Sequence, residues 1–405
     1  MDNNIFLKLY ARVYQKILYL ASNFLKWREP EILEGVNSLS KLGDILKDKN
    51  YNNIMIFTDS YLYSIGIYKA LTNKLDEYNI KYTIYSDVVP NPTVENVENS
   101  KKIYENHNCE MMVAIGGGST MDCAKGCGAL ISRPNKTLRD LKGVLKVKKE
   151  IPYLVCVPTT AGTGSEVTIA AVITDTKNCD KYAINDLVLT PKIAVLDPLM
   201  TINLPKNMTS TTGMDTLTHA IESYIGKSNT KKTKKYAKKS IKLAYENLLT
   251  CYQNGENDII ARQNMQKSSY YGGLAFTRAY VGTVHALAHS LGGFYGVPHG
   301  LANAILLPLT LRKYGKSVYK KLAELGELVG TGGTTTEEKA IKFIESIESL
   351  NKRMNIPNKL PEKYTIKESD LDSMVDHAFK EINPLYPVPK ILSKTELKDI
   401  YKQII

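Results

Sequence analysis

Through the first half of the chain, apolar residues gather in short runs separated by stretches with helical spacing. Asn53 to Thr58, Lys81 to Ser86, Met111 to Ile115 and Tyr153 to Val157 are apolar or β-branched runs of strand length. Turn residues such as Asn91-Pro92 and Pro158 bound them. Leu187 to Leu189 and Ile193 to Leu196 continue the strand series up to Asp197-Pro198. Helical stretches fall between, one reaching to about Tyr78 and another covering Val94 to His107. Strands alternating with helices predict a parallel sheet covered on both faces, because parallel neighbours need a crossover and the crossover is usually a helix.

After Pro205 the texture changes. Helical periodicity dominates over Asp215 to Ile225, Lys235 to Tyr252, Ala261 to Gly273 and Gly282 to Leu291, and strand signals nearly vanish. The expected organisation is a helical extension over residues 1–30, an α/β nucleotide-binding domain over 31–202 and an all-α domain over 203–405. In the extension, Lys8, Arg12, Lys16 and Lys26 interrupt the apolar residues. That is too much charge for a membrane span, and no small-residue cleavage site follows a clean apolar core. A helix packed on the body or on a second subunit is the expectation, ahead of a peripheral membrane helix.

At 405 residues the chain is too long for one ordinary core, which agrees with two domains. Hydrophobic and charged contents of 43% and 23% exclude a disordered or disulfide-scaffold protein. The net charge of +12 raises the question of nucleic acid. However, the bases are spread along the chain. The densest run, Lys231, Lys232, Lys234, Lys235, Lys238, Lys239 and Lys242, reads as a solvated helix face, so no nucleic-acid partner is expected. Cys109, Cys123, Cys127, Cys156, Cys179 and Cys251 form no C-x-x-C pair and read as reduced thiols of a cytoplasmic protein.

Two loops carry candidate nucleotide chemistry. Gly116, Gly117, Gly118, Ser119 and Thr120 follow a strand and open a helix expected from Met121. Glycines there let the backbone approach a pyrophosphate, and the helix start supplies free N–H groups. The second loop, Pro158 to Glu166, is rich in hydroxyl residues and also leaves a strand. Asp59 ends the first strand, where it is either a ribose-binding acid or a helix N-cap. The acid precedes the glycines, which marks a variant of the usual dinucleotide fingerprint.

Four of the six histidines fall between residues 219 and 299, in the helical half. Asp215 and His219 stand four apart, as do His285 and His289, and a glycine turn then leads to Pro298-His299-Gly300. On helices such pairs share a face. One carboxylate with several imidazoles suits a divalent metal such as iron(II) or zinc. His107 and His377 lack such company and read as surface residues.

Taken in order, these motifs resemble the iron-containing, group III alcohol dehydrogenase family. The resemblance covers about residue 30 to the end and rests on Gly116 to Ser119, Thr159 to Glu166, the Asp215–His219 helix, and His285 through Pro298-His299-Gly300-Leu301-Ala302-Asn303. It implies an architecture like that of dehydroquinate synthase, an α/β nucleotide-binding domain followed by an all-α metal-binding catalytic domain. It also implies hydride transfer between NAD(H) and a small alcohol or aldehyde. By position it makes Asp215, His219, His285 and His299 the metal ligands, with Fe2+ expected and Zn2+ or another divalent ion the alternative. His289 becomes a nearby proton-relay histidine. Asp59 becomes the acid that favours NAD over NADP. Asn91, Gly117, Gly118, Ser119, Asp122, Thr159, Thr160, Thr163 and Lys181 fall where the family contacts the dinucleotide, with Gly116 heading the loop. A homodimer or higher homo-oligomer without stable membrane insertion is expected. The competing readings are a zinc-type polyol dehydrogenase, a lyase resembling dehydroquinate synthase and a non-enzymatic sensor. His219 and the Pro-His-Gly-Leu-Ala-Asn context disfavour the first, and Asp215 in place of a glutamate disfavours the second.

Overall fold

The computed structural model describes residues 5–178 and 180–405. Cys179, one of the six thiols, lies outside the described residues. The chain divides into two compact units. One contains Lys26–Leu204 with Gly255–Gln266. The other contains the residues up to Leu25, including helix α1 (Ile5–Ser22), together with Pro205–Asn254 and Lys267–Ile405. Gly255–Gln266 groups with the first unit although it sits in the helical half of the sequence. The buried Gln266 donates to the Asp197 carbonyl at 2.9 Å, and Arg262 donates to the Leu204 carbonyl at 3.1 Å.

The first unit is built on a six-stranded sheet. Its strands are β1 (Glu31–Glu34), β2 (Asn53–Phe57), β3 (Lys81–Tyr85), β4 (Met111–Gly116), β5 (Tyr153–Pro158) and β6 (Ile193–Leu196). They lie in the order β1-β6-β5-β4-β2-β3, and every neighbouring pair is parallel. Alternate residues feed two separate cores. Ile54, Ile56, Met111, Val113, Ile115, Val155 and Val157 enter one. Met55, Phe57, Met112, Ala114, Leu154 and Cys156 enter the other. A strand buried on both faces has no polar positions to spare, which is why these segments read as continuous apolar runs.

Four features depart from the sequence reading. Leu187–Leu189 is a 3-10 turn instead of a strand, because the Asp186 carboxylate caps it by accepting from Val188 N. β1 was not expected; it carries two glutamates and lies at the sheet edge. A second, three-stranded sheet of Gly143–Val144, Ala170–Asp175 and Asp180–Asn185 was also unexpected, and its two long strands pair antiparallel. The helix after the glycines, α2, runs Gly118–Ser132 and so begins before Met121.

The second unit is helical, and among the described residues no strand follows Leu196. Its relevant members are α3 (Lys206–Ile225), α4 (Lys231–Asn254), α5 (Thr283–Tyr295), α6 (His299–Tyr314) and α7 (Leu371–Ile382). The lysines of α4 line its outer side, with Lys239 placed 3.9 Å from the Tyr271 ring centroid. Helix α1 buries Ala11 and Gln15, while Phe6, Leu9, Val13, Ile17 and Leu20 are exposed on the opposite side. Among the described residues no helix is long and apolar enough to cross a membrane. Cys109, Cys123, Cys127, Cys156 and Cys251 are buried and carry thiols, not disulfides.

Candidate metal centre and nucleotide loops

The four residues singled out in the helical half converge. One ligand atom from each of Asp215, His219, His285 and His299 lies within 4.8 Å of the others. Asp215 and His219 project from successive turns of α3, His285 from the first turn of α5, and His299 from the start of α6. Gly300 permits the approach of α6 to α3: a Cβ there would lie 2.4 Å from the Thr211 carbonyl oxygen. No side chain fits that contact, and any larger residue would move His299 away from Asp215. Phe276 stacks on the His219 ring at 4.1 Å between centroids and closes one side. Tyr295 donates to Asp370 at 2.6 Å.

The electrostatics suit a cation. Burial alone would raise the Asp215 carboxyl, but favourable electrostatics with the facing His219 and His299 rings and the hydrogen bonds with His285 and His299 hold it well below the usual range. Burial pushes His219 down to about 3, so this ring is neutral, and its Nδ1 is buried without a hydrogen-bond partner in the described structure. Burial also lowers His299. His285 goes the other way, up to about 9, because Asp215 and Glu222 outweigh its burial. A carboxylate held ionised, a neutral imidazole and an unpartnered buried nitrogen are what a divalent ion needs from its ligands. The donor set therefore fits such an ion.

Two residues outside the expected site complete the cluster. Glu222 accepts from the backbone of Gly282 and Val284 at 2.8 and 2.7 Å, and its Oε2 lies 2.7 Å from His285 Nδ1. An acceptor there fixes a proton on Nδ1, so Nε2, the atom facing Asp215, is the nitrogen that gives up its proton and ligates when an ion binds. The signal was present in the sequence: Asp215, His219 and Glu222 follow i, i+4, i+7 along one helix face. Asn303 Nδ2 donates to Asp215 Oδ1 at 2.7 Å. Glu222→Gln should therefore weaken metal binding by about tenfold to a hundredfold, with the fold intact. The amide would present a donor either to the backbone N–H groups or to His285, and the second case moves the ring proton onto Nε2. Metal titration of wild type and variant reads this, and equal affinities would contradict it.

His289 lies one turn beyond His285 on α5 and outside the four-atom cluster. Its ring centroid is 5.1 Å from that of His299, and its side chain is 41% exposed. Nδ1 of His289 pairs with Glu381 at 2.6 Å, and the same carboxylate oxygen accepts from the Tyr386 hydroxyl at 2.7 Å.

In the sheet unit, the register Gly116↔Pro158 sets the carboxyl ends of β4 and β5 level. The two loops thus begin side by side, and Thr159 N donates to the Gly116 carbonyl at 3.1 Å. Gly118 stands against the second loop, where a Cβ would meet Thr163 Cγ2 at 2.9 Å. Thr160 Oγ1 comes 3.7 Å from the equivalent point on Gly117, the N-cap of α2. Ser119 Oγ accepts from Asn91 N at 3.1 Å, and Lys181 donates to Asn91 Oδ1 at 2.9 Å. Asn91, Ser119, Lys181 and the two loops thus form one neighbourhood. Asp122 plays an internal part: its oxygens accept from Ser165 Oγ at 3.0 Å and Val172 N at 3.1 Å. Lys125, which the sequence did not single out, is fully buried and donates to Ser165, Thr168 and Ala170 at 2.7 to 3.1 Å. These bonds fasten the Thr-rich loop to α2, and an unsatisfied ammonium at that depth would be costly. Asp59 caps the helix Ser60–Ser64 through Oδ1, accepting from Leu62 N at 2.9 Å. His107 and His377 are exposed.

Comparison with known proteins gives a consistent picture. The model of iron-containing alcohol dehydrogenase matches residues 30–198, and that of the Fe-containing alcohol dehydrogenase family, C-terminal, matches residues 209–405. The chain is 37% identical to alcohol dehydrogenase 4 of Schizosaccharomyces pombe over 374 residues, which is 91% of this chain and 86% of that protein. It is 33% identical to the NAD-dependent methanol dehydrogenase of Bacillus methanolicus, covering 87% of this chain and 92% of that one. Among solved structures, a 1,3-propanediol oxidoreductase superposes with a TM-score of 0.90 at 33% identity, covering 94% of this chain and 100% of that chain.

Proposed function

This chain belongs to the iron-containing alcohol dehydrogenase family, and from that premise we propose that Asp215, His219, His285 and His299 hold the divalent metal of an NAD(H)-dependent alcohol dehydrogenase and aldehyde reductase. The observation that carries the assignment is the convergence of one carboxylate and three imidazoles within 4.8 Å. When bound, the metal supplies Lewis acidity toward an alcohol or carbonyl oxygen, and the nicotinamide gives or takes the hydride. Asp215 and the three rings fix the direction from which the oxygen approaches. Glu222 keeps His285 in the ligating tautomer. His289 Nε2, the nitrogen not engaged by Glu381, accepts the alcohol proton directly or through water and returns it during aldehyde reduction.

Iron(II) is the proposed ion, zinc being the competitor that N/O sites bind more tightly. Short linear alcohols and diols with their aldehydes are the proposed substrates, by analogy with the methanol and 1,3-propanediol enzymes among the relatives. A homo-oligomeric, cytoplasmic enzyme is part of the same reading. Anaerobic reconstitution of metal-stripped protein with Fe2+ or Zn2+, followed by assay against a panel of alcohols and aldehydes, tests it. NADH formation that returns only with metal supports the assignment, and equal turnover in stripped protein overturns it.

The dinucleotide is proposed to lie along the two sheet-unit loops, with Gly116, Gly117 and Gly118 giving backbone access and Thr159, Thr160 and Thr163 supplying hydroxyls. Asp59 would then take the adenosine ribose hydroxyls while it caps its helix. A 2′-phosphate in that place meets a like charge; two unit charges about 4 Å apart at an effective dielectric of about 20 repel by about 4 kcal/mol. The enzyme should prefer NAD over NADP, and Asp59→Gly should narrow that preference. Equal kcat/KM for both cofactors in the unaltered enzyme would remove Asp59 from this role.

A further inference from the structure

Helix α1 precedes the residues matched by the family models, which begin at residue 30. Its inner side is polar where it meets the segment 384–389. Gln15 is 5% exposed and donates through Nε2 to the carbonyls of Pro384 and Tyr386 at 2.9 and 2.8 Å. Arg12 donates to Gln15 Oε1 at 2.9 Å, to the Val388 carbonyl at 2.7 Å and to the Pro389 carbonyl at 3.3 Å. From the other direction, Lys227 N donates to the Pro387 carbonyl at 2.7 Å. The segment is thus strapped through main-chain carbonyls, and its one hydroxyl-bearing side chain, Tyr386, reaches Glu381.

We propose that α1 is a positioning element for the proton-moving histidine: Gln15 and Arg12 hold the 384–389 strap, the strap holds Tyr386, Tyr386 holds Glu381, and Glu381 orients His289. The inference rests on the reading that His289 moves the proton. Packing alone does not fix that ring, which is 41% exposed, so its rotamer depends on the Glu381 contact. Glu381 Oε1 takes both the Tyr386 hydroxyl and the His289 ring nitrogen, so a displaced Tyr386 releases the oxygen that aims the imidazole. Removing Gln15 would leave two carbonyls, those of Pro384 and Tyr386, without this donor. The strap would then shift at the residue that carries the relay.

A merely structural helix would lower stability and leave turnover alone, so the test is a double-mutant cycle on turnover. Gln15→Leu should lower kcat roughly fivefold, as expected for misplacement of a reacting group, while leaving metal content and the KM for cofactor unchanged. In a His289→Gln background the same change should cost less than about twofold, since coupled residues are not additive. Tyr386→Phe provides an independent entry to the same chain and should also lose its effect in that background. Equal losses from Gln15→Leu in both backgrounds, or full kcat in the single variant, would overturn the positioning role. His289→Gln at the unaltered rate would instead overturn the proton reading beneath it, so the two failures are distinguishable.

Discussion

Replacing His285 with alanine should abolish bound metal and alcohol-dependent NADH formation together. The ring contributes Nε2 to the cluster and is held there by Glu222 at 2.7 Å. Its loss leaves three donors, Asp215, His219 and His299, while His289, one turn further on, lies outside the cluster and is held by Glu381. Lewis acidity supplies several kcal/mol of transition-state stabilisation, so losing the ion should cost at least about 10³-fold in turnover. The variant also leaves Glu222 buried with only its two backbone donors. A modest loss of thermal stability is therefore expected alongside the functional one. Elemental analysis, a melting curve and an assay with excess Fe2+ separate these effects. Full activity in a metal-free His285→Ala protein would sink the ligand assignment.

His289→Gln should behave differently. It should keep its metal and lose roughly 10²-fold in rate, within the range of general acid–base groups. Glutamine can preserve a hydrogen bond to Glu381 but offers no nitrogen that cycles a proton. Arrival of the variant without metal would make His289 a ligand. Retention of both metal and near-normal rate would leave it a residue that shapes the site and nothing more.

How much of this was legible in the sequence depends on how local the signal is. β2, β4 and β5 were readable because strands buried on both faces leave unbroken apolar runs. The hairpin Ala170–Asp175 with Asp180–Asn185 was not, because its apolar runs are only three or four residues long and its burial alternates along strands whose residue types do not. Leu187–Leu189 misled because three apolar residues satisfy either a strand or a turn, and Asp186 decides. The metal cluster was legible as helical spacing, and Glu222 could have been found by extending the same stripe one turn further. Lys125 was hidden by the ordinary expectation that a lysine lies at the surface. The links from Gln15 to Tyr386 join residues 371 positions apart, a separation for which a single sequence carries no pattern.

The buried thiols have a practical consequence. Burial pushes Cys127 and Cys156 up to about 12 and Cys123 well above its usual value, and a thiol reacts through its thiolate. None of the three can be labelled efficiently while its surroundings are closed. Modification by a chromogenic disulfide reagent should therefore run at the rate of local opening and act as a stopwatch on it. Cys123 and Cys127 sit on α2, directly behind the glycine loop, whereas Cys251 lies on α4 in the helical unit. Site-resolved labelling would time the breathing of each half separately, and dinucleotide should slow the clock on α2 more than the one on α4.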